Sequence, residues 1–563
     1  MKKFFCKSWH LFVLALLVLA LVFPLFPHTT ETVPQENLPA KRRILLVPLD
    51  GRPPCKNFVI ELGKIADVEV MTPPTELQDY YSEPGKTREM QTWLRQEAPK
   101  ADAVILSIDQ LLYGGLLAAR EKEISPADET ALFETLRALR QENPALPLYA
   151  FSILPRLQPP DFIDGYDERR DIVKYSRLVG EEAAGKAVDT TEIARLKAAI
   201  PAKSLDRYLA RYTDSERVNR TLIDLEKEGV LTRLILGQDD GEPYGIPNIE
   251  KFNLMESIKD AGLTDREVFL THGADEIAMT LLTAWVLETR GEHPSFYLKY
   301  ADASMKDIVM PYMAVSTDES IREKIALIGG SVTETQEDAD ILLAVNAAKS
   351  ESDTLKSRLP LAAWLKKSAP EKPTALIDTS YHFEEKETVL PLLIRENFPL
   401  SMLAAYAGWN TMSNTAGTAV AAAALHDGID SDDDAIASPQ RGSRITRRRR
   451  ASLTFLENRI LEDNFYLKTG ITDVNRALKK AGYVNTADLD LTKNYRYANF
   501  MLQEEMRART RLYKNTPSFH APFFLGNEAF EPKDLRFTAA FPWPRTFEID
   551  LETTPIIELF KTK

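Results

Sequence analysis

The chain has 563 residues, of which 44% are hydrophobic and 27% are charged, and its formal net charge is −13. This length predicts two or three packed units, and the composition excludes global disorder. The acidic balance argues against a nucleic-acid partner, because no broad positive field is available. The only cysteines are Cys6 and Cys55. They exclude a cysteine-based metal cluster and argue against a disulfide.

Residues 1–40 have the layout of a secretory signal peptide or an uncleaved signal-anchor followed by a spacer. Lys2, Lys3 and Lys7 precede an uncharged apolar run over 11–26, and a spacer rich in Pro, Thr and Glu follows. The run is shorter than the ~20 residues of a typical membrane span, and no small-x-small cleavage site follows it. Cleavage and anchoring both stay open. Either outcome predicts an extracytoplasmic body, secreted or anchored to the membrane by this segment.

Beyond the spacer, short apolar runs alternate with helical patterns. The predicted strands are Ile44–Leu49, Val68–Met71, Ala103–Ile108, Leu148–Ile153, Arg233–Gly237, Glu267–Thr271, Ser295–Tyr300, Asp340–Val345, Thr374–Ile377 and Ser401–Tyr406. Helical spacing of apolar residues predicts helices such as Asp128–Glu142, Asp167–Glu182, Asp214–Glu228 and Glu276–Glu288. This alternation predicts the α/β class, with a parallel sheet and crossover helices.

We therefore expect a (β/α)-barrel-like catalytic domain over residues 41–428, of the TIM-barrel kind. The predicted strands outnumber those of a plain eight-stranded barrel, so an inserted subdomain is expected at about 295–348. A charged loop over 429–450 and a helical and extended C-terminal region over 451–563 complete the predicted organisation. The chain has no P-loop and no Gly-x-Gly-x-x-Gly motif, which weakens a nucleotide-dependent function.

Two predicted strands end in adjacent acids beside a glycine. Asp239 and Asp240 follow one strand, and Asp275 and Glu276 follow the next. Adjacent carboxylates repel each other, and burying them is costly unless other groups pair with them. In parallel α/β folds, ligands bind at the carboxyl ends of the strands. These four acids are therefore the candidate catalytic residues.

Other polar and aromatic residues follow most of the predicted strands, and they are the candidate substrate-binding residues. They are Asp50, Arg52, Asp109, Tyr113, Arg156, His272, Asp378, Tyr406, Trp409, Asn410 and Asn414. Each alone has a structural explanation, such as a helix cap for Asp50 or a buried core histidine for His272. Together they resemble a sugar site, in which carboxylates and amides bind hydroxyl groups and an aromatic face stacks on the ring. Two carboxylates in different environments also suit general acid–base hydrolysis.

Six segments of the chain resemble a bacterial family of unknown function, number 4127. The resemblance covers essentially everything after the spacer, and it implies no activity. The segments are Leu46-Val-Pro-Leu-Asp-Gly-Arg-Pro, Ser107-Ile-Asp-Gln-Leu-Leu-Tyr-Gly-Gly-Leu, Leu236-Gly-Gln-Asp-Asp-Gly, Gly273-Ala-Asp-Glu, Tyr406-Ala-Gly-Trp-Asn-Thr-Met-Ser-Asn-Thr-Ala-Gly and Phe541-Pro-Trp-Pro-Arg-Thr-Phe-Glu.

Two shorter motifs resemble barrel glycosidases. His272-Gly-Ala-Asp-Glu is similar to the His-x-Gly-Gly-Asp-Glu element of family-twenty β-hexosaminidases, although it lacks one residue and has Ala274 for the second glycine. That resemblance implies that Asp275 orients an acetamido group and Glu276 protonates the leaving oxygen.

The second motif combines Phe151-Ser-Ile-Leu-Pro with Gln238-Asp-Asp, and it looks like two strands of the O-GlcNAcase-type family eighty-four. It implies instead that the Asp239–Asp240 pair performs substrate-assisted hydrolysis, with Trp409, Asn410 and Asn414 closing the sugar pocket. The two motifs cannot both supply the catalytic pair.

The leading hypothesis is an exported glycoside hydrolase without a cofactor, acting on cell-envelope or environmental glycans, N-acetylated ones included. In this hypothesis Asp239 orients or activates the substrate and Asp240 is the general acid. Asp275 and Glu276 either bind sugar hydroxyls or exchange roles with this pair. One alternative is a metal-dependent hydrolase that uses Asp239, Asp240, His272, Asp275 and Glu276 to hold Mg, Ca or Mn. Another is a non-catalytic glycan-binding protein of the envelope. The expected partners are a glycan or small polar substrate and, through the N-terminal segment alone, the membrane.

Overall fold

The computed structural model describes residues 42–161, 163, 165–429, 438–525 and 528–560. The predicted signal segment, residues 1–40, lies outside the described residues. Each strand predicted from the sequence is present, with boundaries that differ by a few residues. No described helix combines the length and the apolar composition that a membrane span requires.

Six parallel strands form the first sheet. They are β1 (Arg42–Val47), β2 (Val68–Met71), β3 (Ala103–Ser107), β4 (Leu148–Leu154), β5 (Arg233–Gln238) and β6 (Val268–His272), in the order β2-β1-β3-β4-β5-β6. In β1, Ile44 and Leu46 enter one hydrophobic core while Leu45 and Val47 enter another. Burial on both faces explains why these strands are continuous apolar runs in the sequence.

Five further parallel strands form a second sheet. They are β7 (Ser295–Tyr300), β8 (Ser331–Val332), β9 (Ile341–Ala348), β10 (Thr374–Ser380) and β11 (Ala405–Ala407), in the order β11-β10-β9-β7-β8. Residues 295–348, where we expected an insertion, thus supply three strands of this sheet.

The α/β class with parallel sheets is confirmed, but closure into one barrel is not shown. The described strands are divided between two sheets. In the first sheet β2 lies at one edge beside β1, and β3 to β6 follow on the other side of β1. In the second sheet β8 lies at one edge beside β7, and β9 to β11 follow on the other side of β7. That order belongs to an open, doubly wound sheet.

Seventeen α-helices are defined within the described residues. They are α1 (Asn57–Ala66), α2 (Thr87–Glu97), α3 (Ile108–Leu112), α4 (Leu116–Glu121), α5 (Pro126–Glu142), α6 (Tyr166–Ala183), α7 (Thr190–Ala199), α8 (Ala202–Lys227), α9 (Ile246–Ala261), α10 (Ile277–Arg290), α11 (Thr317–Leu327), α12 (Glu351–Ser368), α13 (Leu390–Arg395), α14 (Met412–Asp427), α15 (Ser438–Arg459), α16 (Ile471–Lys480) and α17 (Tyr495–Lys514).

Helices α10 and α14 join the two sheets. Helix α10 contacts β3 and β4 of the first sheet, α14 contacts β10 and β11 of the second, and the two helices contact each other. Both are buried along most of their length. A run of alanines on α14 permits this close packing, because small side chains let neighbouring backbones approach. One hydrophobic core therefore contains residues from both sheets.

The C-terminal region packs on this body. After α15 the chain continues as a π-helical segment, Ile460–Gly470. Three antiparallel strands, β12 (Phe523–Leu525), β13 (Glu528–Ala540) and β14 (Asp550–Leu559), form a third sheet, and α15 contacts both α1 and β14. The segment between β13 and β14 carries Arg545 and Phe547 to the cavity described below.

Gly237 in β5 allows the first sheet to approach α10. A β-carbon at this position would lie 2.5 Å from Ile277 Cδ1 and 2.6 Å from the carbonyl oxygen of Gly273. We expect Gly237→Ala to lower the free energy of unfolding by about 1–3 kcal/mol, as overpacking does elsewhere. Chemical denaturation of the purified protein measures this change.

Gly442→Ala is the matched control, because Gly442 lies in α15 and, among the described residues, no atom outside its own helix backbone lies within 4 Å of an added β-carbon. Removing a helical glycine stabilises by roughly 0.5–1 kcal/mol. Equal effects of the two substitutions would contradict the packing account.

Candidate active site

The carboxyl ends of strands from both sheets surround a cavity of about 480 Å³. From the first sheet come Arg52 after β1, Arg120 after β3 and Arg156 after β4. From the second come Phe383 after β10 and Asn410 after β11. The volume lies within the range of small-molecule sites in proteins.

The structure brings most of the predicted site residues to this cavity. Its lining includes Arg52, Arg156, Asp239, Asp240, His272, Asp275, Asn410 and Asn414. Asp109 and Tyr113 line a second, smaller cavity that shares Arg120, Arg156 and Asp239 with the first. The remaining predicted residues are buried away from both cavities, and they are Asp50, Glu276, Asp378, Tyr406 and Trp409.

The Asp239–Asp240 pair lies between two arginines. Arg120 hydrogen-bonds to the Asp239 carboxylate, and Arg156 Nη1 lies 3.6 Å from Asp240 Oδ2. Burial alone would raise the pKa of Asp239, but Arg120 and Arg156 hold it below the usual range. Burial and the charge of Asp239 raise the pKa of Asp240 to about 6. Two adjacent carboxyl groups therefore have pKa values shifted in opposite directions, which is the pattern of a base and a general acid.

Asp275 reaches the cavity from the end of β6 and is held by Arg52. Arg52 Nη2 lies 2.7 Å from Asp275 Oδ1 and 2.6 Å from Asp50 Oδ2. Asp50 is fully buried behind this arginine. Burial raises the pKa of Asp275 more than Arg52 lowers it. Asp50 therefore orients Arg52, and Arg52 links the loop after β1 to the loop after β6.

A metal ion is not favoured by the donor atoms at this position. Among the described residues, only Asp50, Cys55 and Asp275 bring three potential ligand atoms within 4.8 Å of one another. The Arg52 guanidinium group already contacts both carboxylates, and burial raises the pKa of the Cys55 thiol well above its usual value. A neutral thiol and a resident cation do not make the oxygen-rich set that Mg²⁺, Ca²⁺ or Mn²⁺ prefers.

Glu276 does not line the cavity. Its carboxylate forms an ion pair with Lys324 at 2.7 Å, and both side chains are completely buried. Lys324 Nζ also donates to Thr271 Oγ1 at 2.8 Å. Gly273 adopts φ +105°, and a β-carbon there would collide with the Glu276 carboxylate. A glycine is needed at this position because the Glu276 carboxylate packs directly against it. Through its ion pair with Lys324, Glu276 connects the end of β6 and the start of α10 to α11.

His272 lines the cavity with both ring nitrogens engaged. Nδ1 lies 2.8 Å from Glu323 Oε1, and Nε2 lies 3.0 Å from Lys251 Nζ. A lysine ammonium group can only donate, so this network assigns the acceptor role to Nε2 and the donor role to Nδ1. The histidine therefore anchors the end of β6 and is not a free base.

The aromatic residues that line the cavity are not the predicted Trp409. Trp409 is 1% exposed, and its ring packs on Phe58 and Phe547. Tyr312 and Phe383 line the cavity instead, with ring centroids 6.5 Å apart. Both have positive φ, as does the neighbouring Asn410. Left-handed backbone at a non-glycine residue is costly and is often found at functional sites.

Asp378 and Tyr406 stabilise the second sheet. Asp378 accepts hydrogen bonds from the backbone amides of Val389, at 2.8 Å, and Leu390, at 3.0 Å, at the start of α13. Tyr406 Oη lies 3.4 Å from Asp378 Oδ2 and is fully buried. Both residues therefore support the loop that presents Phe383, without touching the cavity.

Several cavity residues were missed from the sequence, among them Arg120, Tyr312, Phe383, Arg545 and Phe547. Arg120 lies on α4, beyond the immediate end of β3, and Tyr312 follows β7 at a distance. A signal did exist for Arg545 and Phe547, because both belong to the Phe541-Pro-Trp-Pro-Arg-Thr-Phe-Glu segment noted above.

The buried Glu276–Lys324 pair yields a stability test. Lys324→Met would leave a buried carboxylate without its partner, so we expect the free energy of unfolding to fall by about 3–5 kcal/mol. Replacing both partners, as Lys324→Met with Glu276→Leu, should recover most of the loss. Thermal and chemical denaturation measure both effects, with Lys227→Met at an exposed position as control. An unchanged stability in Lys324→Met would contradict a structural role for this pair.

Comparison with known proteins identifies the family. The family model described as "Protein of unknown function (DUF4127)" matches residues 44–552. No curated protein and no solved structure matches the chain significantly. The similarity to barrel glycosidases therefore has no support beyond the short motifs themselves. Because the family match covers nearly the whole described chain, the protein belongs to the DUF4127 family.

Proposed function

We propose that this protein is a glycoside hydrolase in which Asp240 is the general acid and Asp239 is its ionised partner. The proposal rests on the arrangement of these two acids: they line one cavity, Arg120 and Arg156 face them, and their pKa values are shifted in opposite directions. Glycosidic cleavage requires a protonated carboxyl group and a carboxylate near the same bond. Asp240 and Asp239 meet that requirement at pH values below about 6.

In the proposed reaction, Asp240 gives its proton to the glycosidic oxygen as the bond between that oxygen and the ring carbon breaks. The Asp239 carboxylate stabilises the positive charge that develops on the sugar ring. Water then supplies the hydroxyl group to the ring carbon and the proton that returns to the carboxyl pair. Arg120 contributes by keeping Asp239 ionised, since it hydrogen-bonds to that carboxylate.

The remaining cavity residues suit a sugar. The rings of Tyr312 and Phe383 provide apolar faces, while Ser413 and the amides of Asn410 and Asn414 offer hydrogen-bonding groups for hydroxyls. The signal-like N-terminus supports an exported enzyme, with cell-envelope or environmental glycans as its substrates. Glu276 lies outside the proposed acid–base pair, because it is fully buried in its ion pair with Lys324 and does not line the cavity. Asp275 lines the cavity and is assigned to binding sugar hydroxyls.

One observation favours a non-catalytic glycan-binding protein as the second candidate. Each acid that lines the cavity faces an arginine, namely Arg120 for Asp239, Arg156 for Asp240 and Arg52 for Asp275. Such pairing also suits a rigid binding site that never transfers a proton. The experiments on Asp240 below separate the two candidates.

The proposal fixes the pH dependence of hydrolysis. A general acid must carry its proton, and Asp240 carries it below a pKa of about 6. We therefore expect kcat/KM to fall about tenfold per pH unit above 6 and to stay level below it, since the pKa of Asp239 lies below the usual carboxyl range. Initial rates on an aryl glycoside measure the profile. A rate that rises through this interval would contradict the assignment.

Asp240→Asn tests the acid directly. Removing a general acid costs about 10²–10⁴-fold in rate when the leaving group needs a proton. We expect that loss for a 4-methylphenyl glycoside and a much smaller one for a 2,4-dinitrophenyl glycoside, whose leaving group departs without protonation. Asp224→Asn, at an exposed position, is the matched control.

Equal losses on the two substrates would contradict the role of Asp240. If no glycoside in a broad panel is hydrolysed but sugars still raise the melting temperature, the binding-protein alternative gains support.

A further inference from the structure

The wall that separates the two cavities is rich in arginine. Arg120, Asp239 and Arg156 line both the larger cavity and the smaller one, which has a volume of about 50 Å³. Arg211 lines the smaller cavity alone. The smaller volume accommodates a group of a few atoms but not a sugar ring.

Several hydrogen-bond donors of these arginines are buried without a partner. Within the described part of the chain, Arg156 has only its 3.6 Å ion pair with Asp240, and its Nε is a buried donor without an acceptor. The Nε of Arg120 and the Nε and Nη1 of Arg211 are in the same state. Buried donors are costly when unsatisfied, so they are normally paired with protein, water or ligand.

The charges at the wall change with the proton of Asp240. When Asp240 is protonated, Asp239 is the only negatively charged member of the acid pair. The two positive charges of Arg120 and Arg156 then face one negative charge. The side chain of Arg156 is 20% exposed, so it remains accessible from the cavity. A planar guanidinium group binds carboxylate and other oxyanions through two parallel hydrogen bonds. An anionic group in the larger cavity would contact the exposed part of the Arg156 guanidinium group and replace the negative charge that is lost when Asp240 is protonated.

We propose that the natural ligand is an acidic sugar whose oxyanion substituent, a carboxylate or a sulfate, binds to Arg156 and Arg120. The sugar ring occupies the larger cavity against Tyr312 and Phe383, and its substituent points to the arginine wall. This inference rests on the proposed function for the identity of the ring. The anion site itself depends only on the arginines.

Isothermal titration calorimetry on the full-length protein tests the site. The probes are D-glucuronate and D-glucose 6-sulfate, with D-glucose as the neutral reference and inorganic sulfate as the free anion. We expect the preferred acidic sugar to bind at least about tenfold more tightly than D-glucose, which corresponds to one charge-assisted hydrogen-bonded contact. The tighter of the two acidic sugars identifies the substituent.

Three variants give the test its specificity. Arg156→Gln should abolish the preference for the acidic sugar, whereas Arg156→Lys should retain part of it because the charge remains. Arg220→Gln, at an exposed arginine paired with Glu216, should leave the preference unchanged. Melting temperatures close to that of the unmodified protein establish that the variants are folded.

Different results overturn the two proposals. Equal affinities for neutral and acidic sugars, a preference that survives Arg156→Gln, or inorganic sulfate binding as tightly as the acidic sugars would each overturn the acidic-sugar inference. Hydrolysis of neutral aryl glycosides alongside that result would keep the hydrolase proposal. Selective binding of an acidic sugar without turnover of any aryl glycoside, glucuronides included, would overturn the hydrolase proposal and keep the anion site.

Discussion

Ion pairs between buried carboxylates and arginines determine how this site is built. Neighbouring strands carry Asp239, Asp240 and Asp275 to one cavity. Asp239 and Asp275 are buried there and Asp240 is partly buried, which would be costly without compensation. Arg120, Arg156 and Arg52 provide that compensation, and each lies in the segment that follows another strand. The same contacts therefore close the loops around the cavity and set the protonation of the acids. Removing one arginine would alter both.

The two-sheet architecture explains where these contacts occur. In each open parallel sheet the carboxyl ends of all strands lie along one edge, and ligands bind at that edge in this class of fold. Helices α10 and α14 join the sheets through a shared core, so the loops of both sheets line one cavity. The C-terminal segment adds Arg545 and Phe547. The buried Glu276–Lys324 pair fixes the start of α10 and with it the position of the Asp275 loop.

Much of this organisation was predictable from the sequence, because buried parallel strands are continuous apolar runs and their polar ends are conspicuous. Asp239, Asp240, Asp275 and Asn410 were predicted in this way, and all four line the cavity. The arrangement into two sheets was not, because hydrophobic periodicity specifies strands but not their partners. Glu276 and Trp409 follow predicted strands just as the cavity-lining residues do, and the sequence pattern does not distinguish them. Only the tertiary packing shows that both are buried away from the cavity. Arg120 escaped notice because helix α4, and not a strand end, delivers it to Asp239.

Arg120 and Arg156 keep Asp239 ionised, whereas burial and the charge of Asp239 keep Asp240 protonated up to about pH 6. Infrared difference spectroscopy across the pH range around 6 observes this directly through the C=O stretch of protonated carboxyl groups. We expect a protonated band that disappears with a midpoint of about 6 and is absent from the Asp240→Asn variant. Other buried carboxyl groups titrate in a similar range, Asp109 at about 7 among them, so the difference between the two proteins is the decisive quantity. Identical pH-dependent spectra for the two proteins would contradict the claim.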